Sequence, residues 1–237
     1  MSRWSLEREL YRKAVHVLLC MLLLLPFYVE MPLHLDAYYG LGLFLAALIN
    51  SFAAKRIQLL EDLRSIEEGV ASFRRLLEKH MGEPIRAIEE QLTRIERFAL
   101  EQISMLERDY EKKEGYVGLL YGMIGVSTTY LLFPSHIYYG ALALLVVDPI
   151  ASLAGMATGE TRRPPLHGSI SGFTASTTVF ALLLYIAGMP ASSAVLVSLA
   201  ASGAELLSVE DNLTIPFAAS LAAWLLGLPG VLPLSGV

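Results

Sequence analysis

Ionisable and amide side chains gather at four places in an otherwise apolar chain, and each group suits the handling of an anionic ligand. The first is Glu9-x-x-Arg12-Lys13-x-x-His16. Arg12 and His16 are one helical turn apart on one face, with Glu9 about one turn earlier, so the group can present two cations to a phosphate. The plainer reading is a basic anchor whose long side chains reach the polar edge of a membrane.

The second group is Asp148-Pro149-x-x-Ser152-x-x-Gly155-x-x-x-Gly159. On a helix these positions form one stripe that is acidic, then hydroxyl-bearing, then bare, so a ligand or another helix can approach the backbone. Packing alone explains the two glycines. It does not explain a carboxylate about two turns inside an apolar helix, which is costly unless paired or functional, so Asp148 is read as a Mg2+ ligand or general base. The third group, Gly159-Glu160-Thr161-Arg162-Arg163-Pro164-Pro165-Leu166-His167-Gly168-Ser169-x-x-Gly172, sets two arginines before a Gly-Ser turn that opens a helix. Free amides at a helix start suit a phosphate, although the Gly-Lys-Ser/Thr core of a Walker A loop is missing.

The fourth group is Glu205 with Asp211-Asn212-Leu213-Thr214-Ile215-Pro216. Ser198, Ser202 and Glu205 share a helical stripe, and Asp211 or Asn212 can also cap the following helix. Together the groups supply Asp148, Asp211 and Glu205 as candidate metal ligands. Arg12 and Lys13 join Asp148 and Asp211 as candidate catalytic groups. Arg162, Arg163, Gly155, Gly159, Gly168, Ser169, Ser152, Asn212 and His16 are candidate nucleotide- or phosphate-binding residues. Oxygen ligands beside cations are what a Mg2+–nucleotide requires.

The elements that must position these groups are membrane helices. The chain has 237 residues, 54% hydrophobic and 17% charged, with mean hydropathy +0.52, which excludes an ordinary soluble domain. Apolar stretches long enough to span a bilayer fall at 14–32, 35–54, 116–134, 137–157, 171–189, 191–208 and 213–234, and predict an all-α bundle of about seven spans. The first stretch resembles a signal peptide in layout but is followed by no small-x-small cleavage site, so it is read as a retained span. The lone Cys20 lies inside it and forms no intrachain disulfide.

Charge gives the orientation. The 18 Lys and Arg residues fall before the first span, between Lys55 and Lys113, and at Arg162 and Arg163, all on one side of a seven-span chain. The positive-inside rule then places the N-terminus and the site in the cytoplasm and the C-terminus outside. Residues 55–114 carry 12 basic and 14 acidic side chains and two runs of helical periodicity broken at Gly82-Glu83-Pro84. They read as a soluble antiparallel hairpin with arms about 40 Å long, and a hairpin of this kind can hold a homo-oligomer together. The organisation is thus 1–54 with two spans, 55–114 the hairpin, and 115–237 with five spans. A net charge of −5 with no uninterrupted basic block argues against nucleic acid as a partner.

At the four groups the chain resembles the polyprenol kinase family, which includes dolichol kinase, phytol kinase and the CTP-dependent diacylglycerol kinase of yeast, and is distantly related to phosphatidate cytidylyltransferases. The motifs are Glu9-x-x-Arg12-Lys13-x-x-His16, Asp148-Pro149-x-Ala151-Ser152-x-x-Gly155 with Gly168-Ser169-x-x-Gly172-Phe173, and Glu205 with Asp211-Asn212-Leu213-Thr214-Ile215-Pro216. The hairpin lies outside the resemblance. The resemblance implies transfer of the γ-phosphate of CTP to the hydroxyl of a membrane isoprenoid alcohol, with a divalent metal, at the cytoplasmic side. It implies that Arg12 and Lys13 are the basic pair, Asp148 the essential acid and Gly155 the family glycine. The chain departs from the pattern at Pro164, where relatives usually carry lysine, and at His167, where an acid is common. The alternatives are a cytidylyltransferase making a CDP-lipid, a small transporter lined by Asp148 and Glu205, and a membrane scaffold.

Overall fold

The structure, a computed structural model, describes residues 3–52, 117–159 and 166–234. Those residues form seven α-helices and no strand: α1 Arg3–Leu24, α2 Leu35–Phe52, α3 Val117–Leu132, α4 Ile137–Thr158, α5 Ile170–Ile186, α6 Ala191–Leu207 and α7 Asp211–Leu225. Among the described residues the all-α expectation therefore holds. The hairpin expected at 55–114 lies outside the described residues. The chain divides into two compact units, Met1–Arg12 with Ala47–Val117, and Lys13–Ala46 with Gly118–Val237. In the first, the described residues are the beginning of α1 and the end of α2.

Three helices are long and apolar enough to cross a membrane, over Leu10–Phe27, Leu35–Phe52 and Ile137–Thr158. Gly118–Leu132, Ile170–Ile186 and Ala191–Leu207 are apolar but shorter. α7 stops at Leu225, well before the end of the apolar stretch at 213–234, because Gly227 turns the chain with φ 63° and Pro229 follows. α1 instead begins earlier than its apolar stretch, since Arg, Lys and Glu are good helix formers. It tightens into a 3-10 turn over Leu25–Phe27, where Pro26 prevents the regular helix from continuing.

α4 packs against α5 and α7, and α6 closes the ring by packing on both of them. Short connections after α5 and α6 make successive helices antiparallel. The seams are lined by small residues: Ala141, Ala143, Ala201, Ala219 and Ala223 are fully buried beside Val147, Phe180, Val197 and Ile215. Larger apolar side chains such as Leu131, Leu182, Ile186 and Leu225 face outward, an arrangement that suits lipid better than water.

Two close crossings set the helix positions. A Cβ built on Gly140 of α4 would come within 2.5 Å of the Pro216 carbonyl oxygen and of Ser220 Oγ in α7. One built on Gly125 of α3 would lie 2.8 Å from the Asn212 carbonyl oxygen. Pro216 cannot donate to that carbonyl, so the bare face of α3 meets α7 where its backbone ladder is interrupted. α1 is tied to α2 by Tyr39, whose buried hydroxyl donates to the Leu23 carbonyl at 3.0 Å.

The two ends of this unit differ in chemistry. Aromatic and amphipathic residues collect at one: the Tyr28 and Tyr138 hydroxyls meet at 2.6 Å, Phe133 contacts Trp224 and Phe217, and Tyr139 donates to the Pro229 carbonyl at 2.9 Å. The segment after α7 folds back over this end, with the Val231 amide donating to the Ser135 carbonyl and the Leu234 amide to the Pro26 carbonyl. The other end holds the C-terminal halves of α4 and α6 and the starts of α5 and α7, and with them the chemistry read from the sequence.

Candidate functional site

Lys13 and Asp148, 135 positions apart, meet inside the helices. Lys13 Nζ donates to Asp148 Oδ1 at 2.6 Å, and the two side chains are 8% and 5% exposed. A carboxylate so deeply buried needs a counter-charge, and α1 brings one to α4. The second carboxylate oxygen, Oδ2, lies 3.2 Å from His16 Nε2. His16 is one turn along α1 from Lys13, so both side chains leave the same face of that helix. The same Nε2 is 3.3 Å from the Leu144 carbonyl oxygen. A carbonyl and a carboxylate can only accept, so Nε2 carries its hydrogen and shares it between them. Cys20, a further turn along, sets its Sγ 3.3 Å from that nitrogen.

Asp148 also sits where α4 is weakened. Pro149 follows it and has no amide to give the Leu145 carbonyl one turn back. From Asp148 the stripe Ser152, Gly155, Gly159 runs along the same face of α4, and Gly155 is about 10 Å further on at 1.5 Å per residue. There it meets the start of α5. A Cβ on Gly155 would fall 2.6 Å from Ser169 Oγ, so the glycine is what lets this hydroxyl approach. Ser169 caps α5, its Oγ accepting from the Gly172 amide at 3.0 Å. Ser171 Oγ stands 3.4 Å from Ser169 Oγ and 2.9 Å from Thr158 Oγ1, so three hydroxyls cluster between the end of α4 and the start of α5. Gly172 lies against the Ala151 carbonyl, where a Cβ would come within 2.6 Å.

The loop before α5 docks on the end of α6. The His167 and Gly168 amides both donate to the Leu206 carbonyl, at 2.9 and 3.0 Å, and supply partners that a last-turn carbonyl lacks within its own helix. Gly168 faces the Glu205 carboxylate, whose oxygens would be 2.7 and 3.0 Å from an added Cβ. Glu205 continues the stripe of Ser198 and Ser202, and the buried Ser202 hydroxyl accepts from Ser176 of α5 at 2.9 Å. Asp211 opens α7, and its Oδ1 accepts from the Asn212 amide at 2.8 Å, a negative charge at a helix start. Glu210 rather than Asp211 or Asn212 holds the cap position. The Asn212 carboxamide nitrogen donates to the Gly118 carbonyl at 3.3 Å, while its Oδ1 is buried without a hydrogen-bond partner.

The residues expected from the sequence thus sort into groups. Lys13, His16 and Asp148 form one cluster. Gly155, Gly168, Ser169 and Glu205 form a second contact set, carried by α4, the α5 start and α6, with Ser152 half-buried on the α4 face between them. Gly159 is exposed and ends α4 in the left-handed conformation with φ 63°, a task of chain reversal. Asp211 and Asn212 sit at the α7 start against α3. Arg12 belongs to the first compact unit, and Arg162 and Arg163 lie outside the described residues.

Among the described residues no set of three or more His, Cys, Asp and Glu side chains is placed to hold a metal ion. Asp148 already has an ammonium and an imidazole on its oxygens, and Asp211 gives an oxygen to its neighbour's amide. Sequence reasoning did not foresee Cys20, Ser171, Thr158 or Ser176 as part of these sets. For Cys20 the signal was present, since it follows His16 by four residues. No family model, curated protein or solved structure matches this chain.

Proposed function

We infer that this chain is a multi-pass membrane enzyme that transfers the γ-phosphate of a nucleotide, CTP on the family resemblance, to the hydroxyl of an isoprenoid lipid alcohol. The observation that carries the reading is the contact between Lys13, His16 and Asp148, the residues through which two separately read motifs imply one site. The Gly155–Ser169–Gly168 contact supports it, because it brings the third motif alongside on the same face of α4. The seven helices are read as seven spans with the N-terminus and this end of the bundle cytoplasmic, in keeping with the distribution of Lys and Arg. The aromatic residues at the opposite end suit the outer headgroup region.

In this reading the lipid hydroxyl approaches laterally between helices, so its prenyl tail stays in hydrocarbon. Its oxygen attacks the γ-phosphorus and gives its proton to a carboxylate, Asp148 or Asp211 on the sequence reading, while the bond to the β-phosphate bridging oxygen breaks and the nucleoside diphosphate leaves. Catalysis comes from positioning and from neutralising the charge on the transferred group. Lys13 supplies one cation, held in place by Asp148, whose second oxygen meets His16. The family resemblance implies Arg12 as the second member of the basic pair, and the sequence offers Arg162 and Arg163 as further phosphate-binding cations.

The test is incubation of the purified full chain with γ-labelled CTP or ATP and a panel of prenols and diacylglycerols. Label is expected in an isoprenoid alcohol, with nucleoside diphosphate as coproduct. Release of pyrophosphate instead assigns a cytidylyltransferase, and failure with every acceptor removes the kinase reading.

A further inference from the structure

The buried pair makes a statement about the metal that the motifs do not. A divalent ion on Asp148 has to stand about 2.0–2.1 Å from a carboxylate oxygen, as Mg2+ ligands do. The Lys13 ammonium is already 2.6 Å from Oδ1, and His16 Nε2 is 3.2 Å from Oδ2 with its hydrogen committed to acceptors. A dication bound to either oxygen would stand within a few ångströms of the ammonium, and burial leaves little water to screen the repulsion.

We propose that Lys13 is the resident counter-cation of Asp148, filling with His16 the positions a divalent ion would need, so that this carboxylate positions Lys13 and holds no metal while the pair is intact. The exclusion stands on the pair's geometry alone. Its consequence, that a metal needed for phosphoryl transfer enters on the nucleotide phosphates, rests on the kinase reading.

The experiment is a Mn2+ titration of the full-length protein in detergent without nucleotide, reading free Mn2+ by electron paramagnetic resonance. The variants are Asp148→Asn, Lys13→Met and the double variant. Wild type and Asp148→Asn are expected to bind equal numbers of Mn2+. Lys13→Met, which leaves the carboxylate without its ammonium, is expected to gain one site at least tenfold tighter than any in wild type, and the double variant to lose it. A site present in wild type and lost in Asp148→Asn overturns the proposal, as does a Lys13→Met protein with unchanged Mn2+ binding.

A second readout needs no variant to fold in order to read the site. In wild-type protein labelled with 15N-histidine, Mn2+ on Asp148 would lie close enough to His16 to erase its imidazole resonance. Its survival at saturating Mn2+ is the expected result and its loss overturns the proposal. Both readouts are independent of turnover, so a failed phosphoryl-transfer assay leaves them standing and the two readings fail separately.

Discussion

Lys13 and Asp148 show how a buried charge constrains a site before any ligand arrives. Each would be expensive in an apolar interior alone, and at 2.6 Å each offsets the other's loss of water. Removing one partner strands the other. Asp148→Asn is therefore expected to destabilise the protein by about 3–5 kcal/mol, read by denaturant unfolding in detergent, and Lys13→Met with Asp148→Asn to recover most of that loss. An Asp148→Asn protein as stable as wild type would mean that Lys13 finds its counter-charge elsewhere. The Nε2–H form of His16 follows from the same neighbourhood, since its two oxygen partners both lack hydrogens.

Among the helices, backbone approach decides position more than side-chain size does. α4 and α7 touch through Gly140, Pro216 and Ser220, and Ser220 Oγ in turn donates to the His136 carbonyl at 3.0 Å. Gly140→Val drives a branched side chain into a backbone carbonyl, an obstacle that cannot rotate away. Its expected cost is about 1–3 kcal/mol or more, measured as a lowered unfolding midpoint. Gly40→Ala in α2 is the matched control, because nothing lies within 4 Å of its added Cβ. There the helix propensity of alanine predicts no loss and a gain of up to about 1 kcal/mol. Equal effects at the two positions would show that the α4–α7 crossing is looser than these contacts require.

The second compact unit as a whole has a charged and hydroxyl-rich end and an aromatic end closed by the segment after α7. If all seven helices cross the bilayer, an odd count puts the termini on opposite sides. Reporter tags on the two ends of the chain are expected to differ in protease accessibility in sealed vesicles, with the N-terminal tag protected in right-side-out preparations. Tags on the same side would reduce the span count to an even number and undo the orientation read from the basic residues.

Much of the scaffold is legible in the sequence because its causes are local. Hydropathy and the turn residues around Pro134, Gly188 and Pro190 placed α3, α4, α5 and α6 within a few residues, since a helix in an apolar medium must satisfy its own backbone wherever it runs. α7 was read too long because hydropathy does not register the backbone reversal at Gly227. The site was legible in its components and not in its pairing. Asp148 stood out because a carboxylate in an apolar helix demands a counter-charge, but periodicity treats each helix alone and cannot say which cation arrives.

The sequence was thus sufficient for an all-helical, apolar chain and for the residues that need partners, because both follow from composition and spacing along one helix. Which partners they obtain depends on how separate helices cross. That is set by small residues, by Pro-interrupted ladders and by bare glycine faces at 125, 140, 155 and 168, whose contacts lie on other helices or at their starts. Close packing between distant segments gave Asp148 its ion-pair partner, Lys13, which spacing along one helix cannot name.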